Sequence, residues 1–173
     1  TATHDEEVDG IESSYNMSMT YDYDEKFSNK FTLANTYIKR IYGATENSGN
    51  ALQDNYYGDR YLISYTGNYN FNLDNSIVFG VEREDDQIGY NKDLSGRENK
   101  HNYVTSNFFD LQSRLTNNIF FTFGSRFDEH SIAGNEDSHR ATFAYLFDDK
   151  TLKIKSSYGT GFRYPSLYEM FFV

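Results

Sequence analysis

The chain has 173 residues and a formal net charge of −10 at pH 7; 38% of its residues are hydrophobic, 18% are aromatic and none is cysteine. An acidic chain without a basic cluster is a poor nucleic-acid binder, because phosphate neutralisation supplies most of that affinity. The lack of cysteine excludes a disulfide framework and a thiolate metal site. Since the chain starts at Thr1 and stops at Val173 inside a patterned segment, we interpret it as a piece of a longer protein.

The first predicted strand, residues 11–24, has two unlike faces. One face carries large apolar side chains, namely Ile11, Tyr15, Met17, Met19, Tyr21 and Tyr23. The other carries charged, amide and hydroxyl side chains, namely Glu12, Ser14, Asn16, Ser18, Thr20 and Asp22. This period of two predicts a strand. A wholly polar second face over such a length is typical of a strand that separates lipid from water.

The alternation continues along the chain, and seven further strands are predicted at 28–42, 59–72, 76–88, 101–115, 118–131, 139–147 and 151–162. It is clearest where Ile119, Phe121, Phe123 and Phe127 share one face. Short turns rich in Asp and Asn are predicted at 24–26, 73–75, 116–118 and 148–150. Longer polar connections are predicted at 43–58, 89–100 and 133–138. This rhythm is typical of outer-membrane barrels, whose short turns are periplasmic and whose long loops are extracellular.

These patterns predict an all-β fold, an antiparallel transmembrane β-barrel segment of about eight strands. The mean hydropathy of −0.75 is compatible with a membrane location, because only alternate residues of a barrel strand meet lipid. Charged side chains of the alternating segments should face the lumen, since a charge on the lipid face costs roughly 2 to 4 kcal/mol at the midplane. This expectation applies to Glu82, Glu84, Asp86, Lys153 and Lys155.

Three consecutive segments of the C-terminal third carry a family resemblance. Residues 124–128 read G-S-R-F-D, residues 139–147 form the next predicted strand, and residues 157–169 read SYGTGFRYPSLYE. These segments resemble the TonB-dependent outer-membrane receptors, in which a G-x-R-x-D strand precedes the motif SYGTGFRAPSLYEL. Tyr164 stands where alanine is usual, at an expected exposed or lumen-facing loop start. Gly159 and Gly161 are predicted in a strand interior and Pro165 at the end of the ladder.

The resemblance implies that residues 1–173 form a partial TonB-dependent receptor β-barrel, with the plug domain absent. The family barrel has about 22 strands, of which this chain would supply about eight. The implied function is active transport of cobalamin or an iron chelate across the outer membrane of a Gram-negative bacterium, energised through TonB. The implied partners are outer-membrane lipid, the TonB complex through the missing plug, and a small-molecule nutrient. The receptor is expected to be a monomer and not an enzyme.

The front half most resembles the vitamin B12 (cobalamin) receptors, on Val8-Asp9-Gly10, the turn at 24–27 and the later Gly80-Val81-Glu82. Those receptors hold calcium between two neighbouring extracellular loops, and by position the matching acids here are Glu7, Asp9, Glu46 and Asp54. Carboxylate oxygens are the ligands that calcium prefers, and residues 5–9 hold four acids. A solvated acidic loop explains the same run without a metal. Calcium is therefore the one cofactor predicted, in the extracellular loops.

Two rival functions follow from the same residues. One is a complete small eight-stranded outer-membrane barrel, either a structural protein or a hydrolase; the other is a soluble all-β binding module. A hydrolase would draw on Asp128-Glu129-His130, but no orienting partner and nucleophile are evident beside them. All four histidines, His4, His101, His130 and His139, fall at predicted loops or loop edges, where we expect surface positions.

Overall fold

The protein is described by a computed structural model, which covers residues 6–45, 51–92, 96–147 and 151–171. The chain forms one eight-stranded antiparallel sheet in which each strand pairs with the next along the sequence. The strands are β1 (Glu6–Asp22), β2 (Phe27–Thr45), β3 (Ala51–Asn72), β4 (Asn75–Lys92), β5 (Gly96–Arg114), β6 (Ile119–His130), β7 (Gly134–Leu146) and β8 (Lys153–Gly159). A short helix, α1 (Leu167–Phe171), follows. Within the described ranges, no helix is long and apolar enough to cross a membrane.

The predicted all-β antiparallel fold is confirmed, and the sheet is an open one. Strand order runs from β1 at one edge to β8 at the other. A complete eight-stranded barrel would pair β1 with β8, and no such pairing is present among the strands described. The arrangement therefore fits a segment of a larger barrel rather than the small closed barrel weighed as an alternative.

The strands are longer than the sequence pattern predicted at the ends that face the long connections. β2 continues to Thr45 and β3 starts at Ala51, with Thr45 paired to Ala51, so most of the predicted 43–58 connection is strand. Likewise β4 and β5 pair out to Lys92 and Gly96. The prediction was wrong there because Gly, Asn and Asp were taken as turn formers. Their backbone groups instead find partners on neighbouring strands, which outweighs their weak strand propensity.

The short turns lie where predicted, and side chains close them. Asp24 Oδ1 accepts hydrogen bonds from the backbone N–H groups of Lys26 (2.8 Å) and Phe27 (2.7 Å). In the same way Thr116 Oγ1 accepts from Asn118 and Ile119 at 3.2 and 3.1 Å. Such local acceptors are the reason that Asp, Asn and Thr favour turns. The predicted turn at 148–150 lies outside the described residues.

The sheet has an apolar face and a polar face and lacks a conventional core. Directly paired residues share a face, so the apolar row of Phe27 continues through Tyr69, Ile77, Leu111 and Phe123. Phe121 and Phe123 are half-buried, and Phe143 is 45% exposed. The only buried hydrophobic side chains among the described residues are Ala144 and Leu167. The large apolar side chains therefore lie on an outer surface of the sheet, not inside a compact globule.

Candidate functional site: a charged network and a cleft on the polar face

Arg126 is the centre of a hydrogen-bonded cluster on the polar face. Its Nη2 donates to Glu82 at 2.9 Å and to Ser106 Oγ at 2.7 Å, and its Nε donates to Asp128 at 2.8 Å. Ser106 in turn donates to Asp128. Two of the three acceptor residues are buried, with Ser106 1% and Asp128 6% exposed. The register explains the cluster, because Glu82, Ser106 and Asp128 pair across β4, β5 and β6 in a single row.

A second ion pair spans two strand intervals across a glycine. Arg140 on β7 donates to Asp110 Oδ2 on β5 through Nε (3.1 Å) and Nη2 (2.7 Å). Gly124 on β6 lies between them in the same row. A Cβ atom on Gly124 would come within 2.6 Å of the Asp110 carboxylate. The missing side chain therefore leaves the space through which the Arg140 side chain reaches Asp110.

Arg60 forms the third ion pair, and it prefers one of two acids. Its Nε and Nη2 donate to the two carboxylate oxygens of Asp86 at 2.7 and 2.9 Å, whereas the Glu84 carboxylate is 3.5 Å from Nε. Glu82, Glu84 and Asp86 thus all lie on the polar face with arginine partners, as predicted for these acids. The prediction was based on the cost of a charge within the lipid-facing part of the other face.

His130 is buried, so the predicted surface position is wrong for this histidine. It is 4% exposed, and its Nδ1 accepts hydrogen bonds from the backbone N–H groups of Ile132 and Ala133, both at 3.0 Å. On the other side of the ring, Nε2 lies 3.0 Å from Nδ2 of Asn102. His130 therefore closes the β6–β7 turn and joins it to β5. These contacts give both buried ring nitrogens a partner, as buried polar groups require. His101 lies within β5 and is exposed, and His139 lies within β7 and is half-buried.

The segment after β8 folds back over the polar face. Its main anchor is Tyr164, whose hydroxyl donates to the backbone carbonyls of Asp128 (3.1 Å) and Gly134 (3.2 Å) and whose ring lies 4.6 Å from that of His130. Burial of the hydroxyl raises the pKa of Tyr164. Leu167, 5% exposed, is a second anchor. The residue that departs from the family motif is thus the one that holds this segment in place.

A reciprocal cap starts α1. The Glu169 carboxylate accepts from the backbone N–H of Ser166 at 2.7 Å, and the Ser166 hydroxyl accepts from the N–H of Glu169 at 3.2 Å. Arg163 donates to both Glu169 oxygens at 3.1 and 2.7 Å. Arg163 and the Ser166 hydrogen bonds lower the pKa of Glu169 to about 2.

Two expectations for this segment are wrong. The ladder ends at Gly159, well before Pro165, and Gly161 lies outside any strand with open space around it. The last ladder-type hydrogen bond runs from the N–H of Thr160 to the carbonyl of His139 at 2.9 Å. Beyond it the chain leaves the sheet because Tyr164 and Leu167 find partners on the polar face instead.

A cleft of about 620 Å³ lies between this segment and the polar face. Its apolar lining comes from Ile38, Ile88 and Val104 on the sheet and from Pro165 and Leu167 on the returning segment. Its polar groups include Arg60, Glu84, Asp86, Asn102 and His130, with Tyr164 and Tyr168 opposite. This volume and this mixture of an apolar surface with a few polar groups are typical of small-molecule sites. The sequence pattern gave no indication of the cleft, because it depends on where residues 160–171 fold.

The predicted calcium ligands are only partly described. Glu46 lies outside the described residues, and of Glu7 only the backbone is described, in register with Gly43. Asp9 pairs with Ile41 and Asp54 with Tyr42, so the two aspartates lie on opposite faces of the sheet. Among the described residues, no three acidic or histidine side chains come close enough to hold a metal ion. The structure does not bring Asp9 and Asp54 together, and the calcium site stays a prediction.

Comparison with known proteins agrees with the two-faced sheet. The family model for the TonB dependent receptor-like β-barrel matches residues 2–173. The solved structure of the RagAB peptide importer in the closed-closed state is similar to this chain, with a TM-score of 0.66, 12% sequence identity and coverage of 90% of this chain. The match spans 23% of that chain, and at this identity it shows the fold alone. No curated protein matches the sequence significantly. The chain belongs to the TonB-dependent receptor-like β-barrel family.

Proposed function

We propose that this chain is part of the barrel wall of an outer-membrane receptor that imports a scarce nutrient into a Gram-negative bacterium with energy supplied through TonB. Family membership across residues 2–173 supports this proposal. The sheet supports it as well, since exposed apolar side chains occupy one face and the ion pairs of Arg60, Arg126 and Arg140 occupy the other. In a barrel the first face meets lipid and the second meets the lumen.

The single observation that carries the proposal is the slope of the apolar face. On the apolar face, β1 and β7 each carry an uninterrupted run of apolar side chains. At the end of the run that is nearer the long connections, the first residue is Tyr15 on β1 and Ala141 on β7. Followed from strand to strand through directly paired residues, Tyr15 is in line with Asp85 on β4, and Ala141 is in line with Ile77 on β4. The edge of the run thus moves eight residues over six strand intervals.

That slope converts directly into a strand tilt. With a rise of about 3.4 Å per residue and a strand spacing of about 4.8 Å, the strands lie roughly 40° from the normal to the apolar band. Strands of transmembrane barrels are tilted by about 35 to 45°. A flat lipid layer around a tilted barrel therefore accounts for the slope, whereas a soluble sheet has no reason to place its apolar residues along such a diagonal.

The remaining parts of the proposal extend beyond this chain. The plug and the segment that contacts TonB are inferred to lie outside residues 1–173, because the barrel family model accounts for nearly the whole chain. The receptor is proposed to act as a monomer, with its long connections outside the cell.

The proposed cargo is cobalamin or an iron chelate. The support is the resemblance of the front half to cobalamin receptors, at Val8-Asp9-Gly10 and Gly80-Val81-Glu82. The RagAB importer transports peptides. Because the likeness at 12% identity concerns the fold alone, we do not propose a peptide cargo, and peptide uptake serves as a comparison in the test below. Calcium bound by Glu7, Asp9, Glu46 and Asp54 is part of the same proposal. It predicts that calcium raises cargo affinity in the full-length receptor and that Asp9→Asn removes the effect.

The test is uptake by the full-length receptor in its native outer membrane. Cells that lack the receptor should lose uptake of cobalamin or of an iron chelate, and the receptor gene should restore it only when TonB is present. Uptake that continues unchanged without TonB, or a full-length protein that fractionates without membrane, would contradict the proposal. Peptide uptake measured in the same strains decides between the cargoes.

A further inference from the structure

The Glu84 carboxylate in the cleft lacks a full set of partners. Among the described residues, the only cation within 4 Å of it is Arg60, at 3.5 Å, and Nε and Nη2 of Arg60 both donate to Asp86. In the row across the sheet, its immediate neighbours are Leu62 and Val104. Its side chain is 31% exposed, so it is largely withdrawn from water. Within the described part of the chain no hydrogen bond reaches the Glu84 carboxylate.

A carboxylate in such surroundings favours a cation. Loss of hydration is costly for a carboxylate unless a charged or hydrogen-bonding partner replaces the water. The cleft lining contributes two carboxylates on the polar face, Glu84 and Asp86, and one guanidinium, Arg60, while His130 is held neutral by the donors on Nδ1. The balance of charge at this site is therefore negative.

The opposite wall supplies a second attraction for a cation. Tyr164 and Tyr168 line the cleft from the returning segment, and tyrosine ring faces attract cations within about 6 Å. The apolar part of the lining, from Ile38, Ile88, Val104 and Leu167, offers a surface of the kind that binds the body of an amphipathic molecule.

We propose that this cleft binds the cationic portion of the receptor's cargo, an ammonium, amidinium or guanidinium group attached to an apolar body, with Glu84 as its counter-ion. The inference rests on the proposed transport function and narrows its cargo. Among iron chelates it selects those that carry an organic cation over purely anionic ones. The cargo contacts the wall of the lumen on the side of the long connections, at β3, β4 and β5, where the segment from 160 to 171 folds back.

The test measures binding of three blocked tripeptide probes to the purified full-length receptor in detergent. The probes have a lysine, a norleucine or a glutamate between two leucines, so that they differ only in the central charge. The lysine probe should bind the most tightly and the glutamate probe the most weakly. Glu84→Gln should lower the affinity for the lysine probe about tenfold or more, the effect of losing one charge-assisted hydrogen bond, and leave the norleucine probe unchanged.

Glu129→Gln is the matched control, because it removes the same charge from an exposed residue of the opposite face. Its affinity for the lysine probe should equal that of the unmodified receptor. Tyr168→Leu gives a second, independent variant that should weaken the lysine probe severalfold more than the norleucine probe. Heat-modifiable migration on gels confirms that each variant is folded.

Three results overturn the inference. The first is equal affinity for the lysine and norleucine probes, the second is an equal loss in Glu84→Gln and Glu129→Gln, and the third is a cross-link that places a plug side chain on Glu84 in the ligand-free receptor. TonB-dependent uptake, measured separately in cells, reports on the proposed function. If uptake persists while the lysine probe shows no preference, only the cationic site fails.

Discussion

Phe143→Arg tests whether the apolar face meets lipid. Phe143 lies within the apolar run of β7, is 45% exposed, and pairs with Phe121 on one side and Ser156 on the other. In a bilayer, an arginine near the midplane of a barrel's outer face costs about 2 to 4 kcal/mol of folding free energy. At the low end, this is roughly a thirtyfold change in the unfolding equilibrium constant.

The control is Thr142→Arg, one residue earlier on the polar face, where Thr142 pairs with Thr122 and Ser157. Both variants add the same charge to the same strand, so the difference between them isolates the surroundings of each face. Guanidinium unfolding of the full-length receptor in phosphatidylcholine vesicles gives the two free energies. In water, an exposed surface substitution costs within about 0.5 kcal/mol. A difference between the variants below that value would refute the lipid-facing assignment.

Three further predictions follow from local contacts. Gly80→Ala should destabilise the receptor by about 1 to 3 kcal/mol, because the new Cβ would lie 2.4 Å from the backbone carbonyl oxygen of Tyr65. Gly161→Ala is the control and should be nearly neutral, because open space surrounds that residue. Unfolding midpoints of the two variants test this difference. Tyr164→Phe should cost about 1 kcal/mol and speed hydrogen exchange at α1, because two carbonyls lose their donor; unchanged exchange would show that Tyr164 is no anchor. Because the pKa of Glu169 is lowered to about 2, its contribution to holding α1 is present above about pH 4 and is lost as the pH falls towards 2. The Met170 N–H donates to the Ser166 carbonyl at 3.0 Å; its protection factor, the exchange rate corrected for intrinsic pH dependence, should fall over that range in the unmodified receptor but not in Glu169→Gln.

The sequence predicted the two faces of the sheet because each face meets a different solvent, and this difference is recorded at every second residue. Met17 and Ser18, adjacent in β1, are assigned correctly by that rule alone. The short turns were predictable for a similar reason, since the Asp24 side chain closes its own turn through neighbours two and three residues away. Both features depend only on residues close in sequence, so they can be predicted without knowing which strands pair.

The outer ends of the strands and the cleft were not predictable in this way. Residues such as Gly58 and Gly89 carry no strand signal of their own, and they pair only because neighbouring strands supply partners for their backbone groups. The position of the segment after β8 depends on Tyr164 reaching carbonyls of Asp128 and Gly134, which are 36 and 30 residues earlier in the chain. The burial of His130 follows from the same long-range contact and from Asn102 on β5.

The pairing of charges on the polar face explains why a binding group is left over. A barrel wall has no apolar core to hold its inner surface, so cross-strand ion pairs such as Arg140–Asp110 and Arg126–Glu82 join its strands instead. Arg140 and Arg60 each direct two donors at a single acid, Asp110 and Asp86 respectively. Glu84, on the same strand and face as Asp86, therefore interacts more weakly with Arg60 than Asp86 does. Glu84 also lines the cleft between the sheet and the returning segment. Acids outnumber arginines at this site, so the Glu84 carboxylate can exchange its weak contact with Arg60 for a cationic cargo. The ion pairs that join the strands stay intact when it does so.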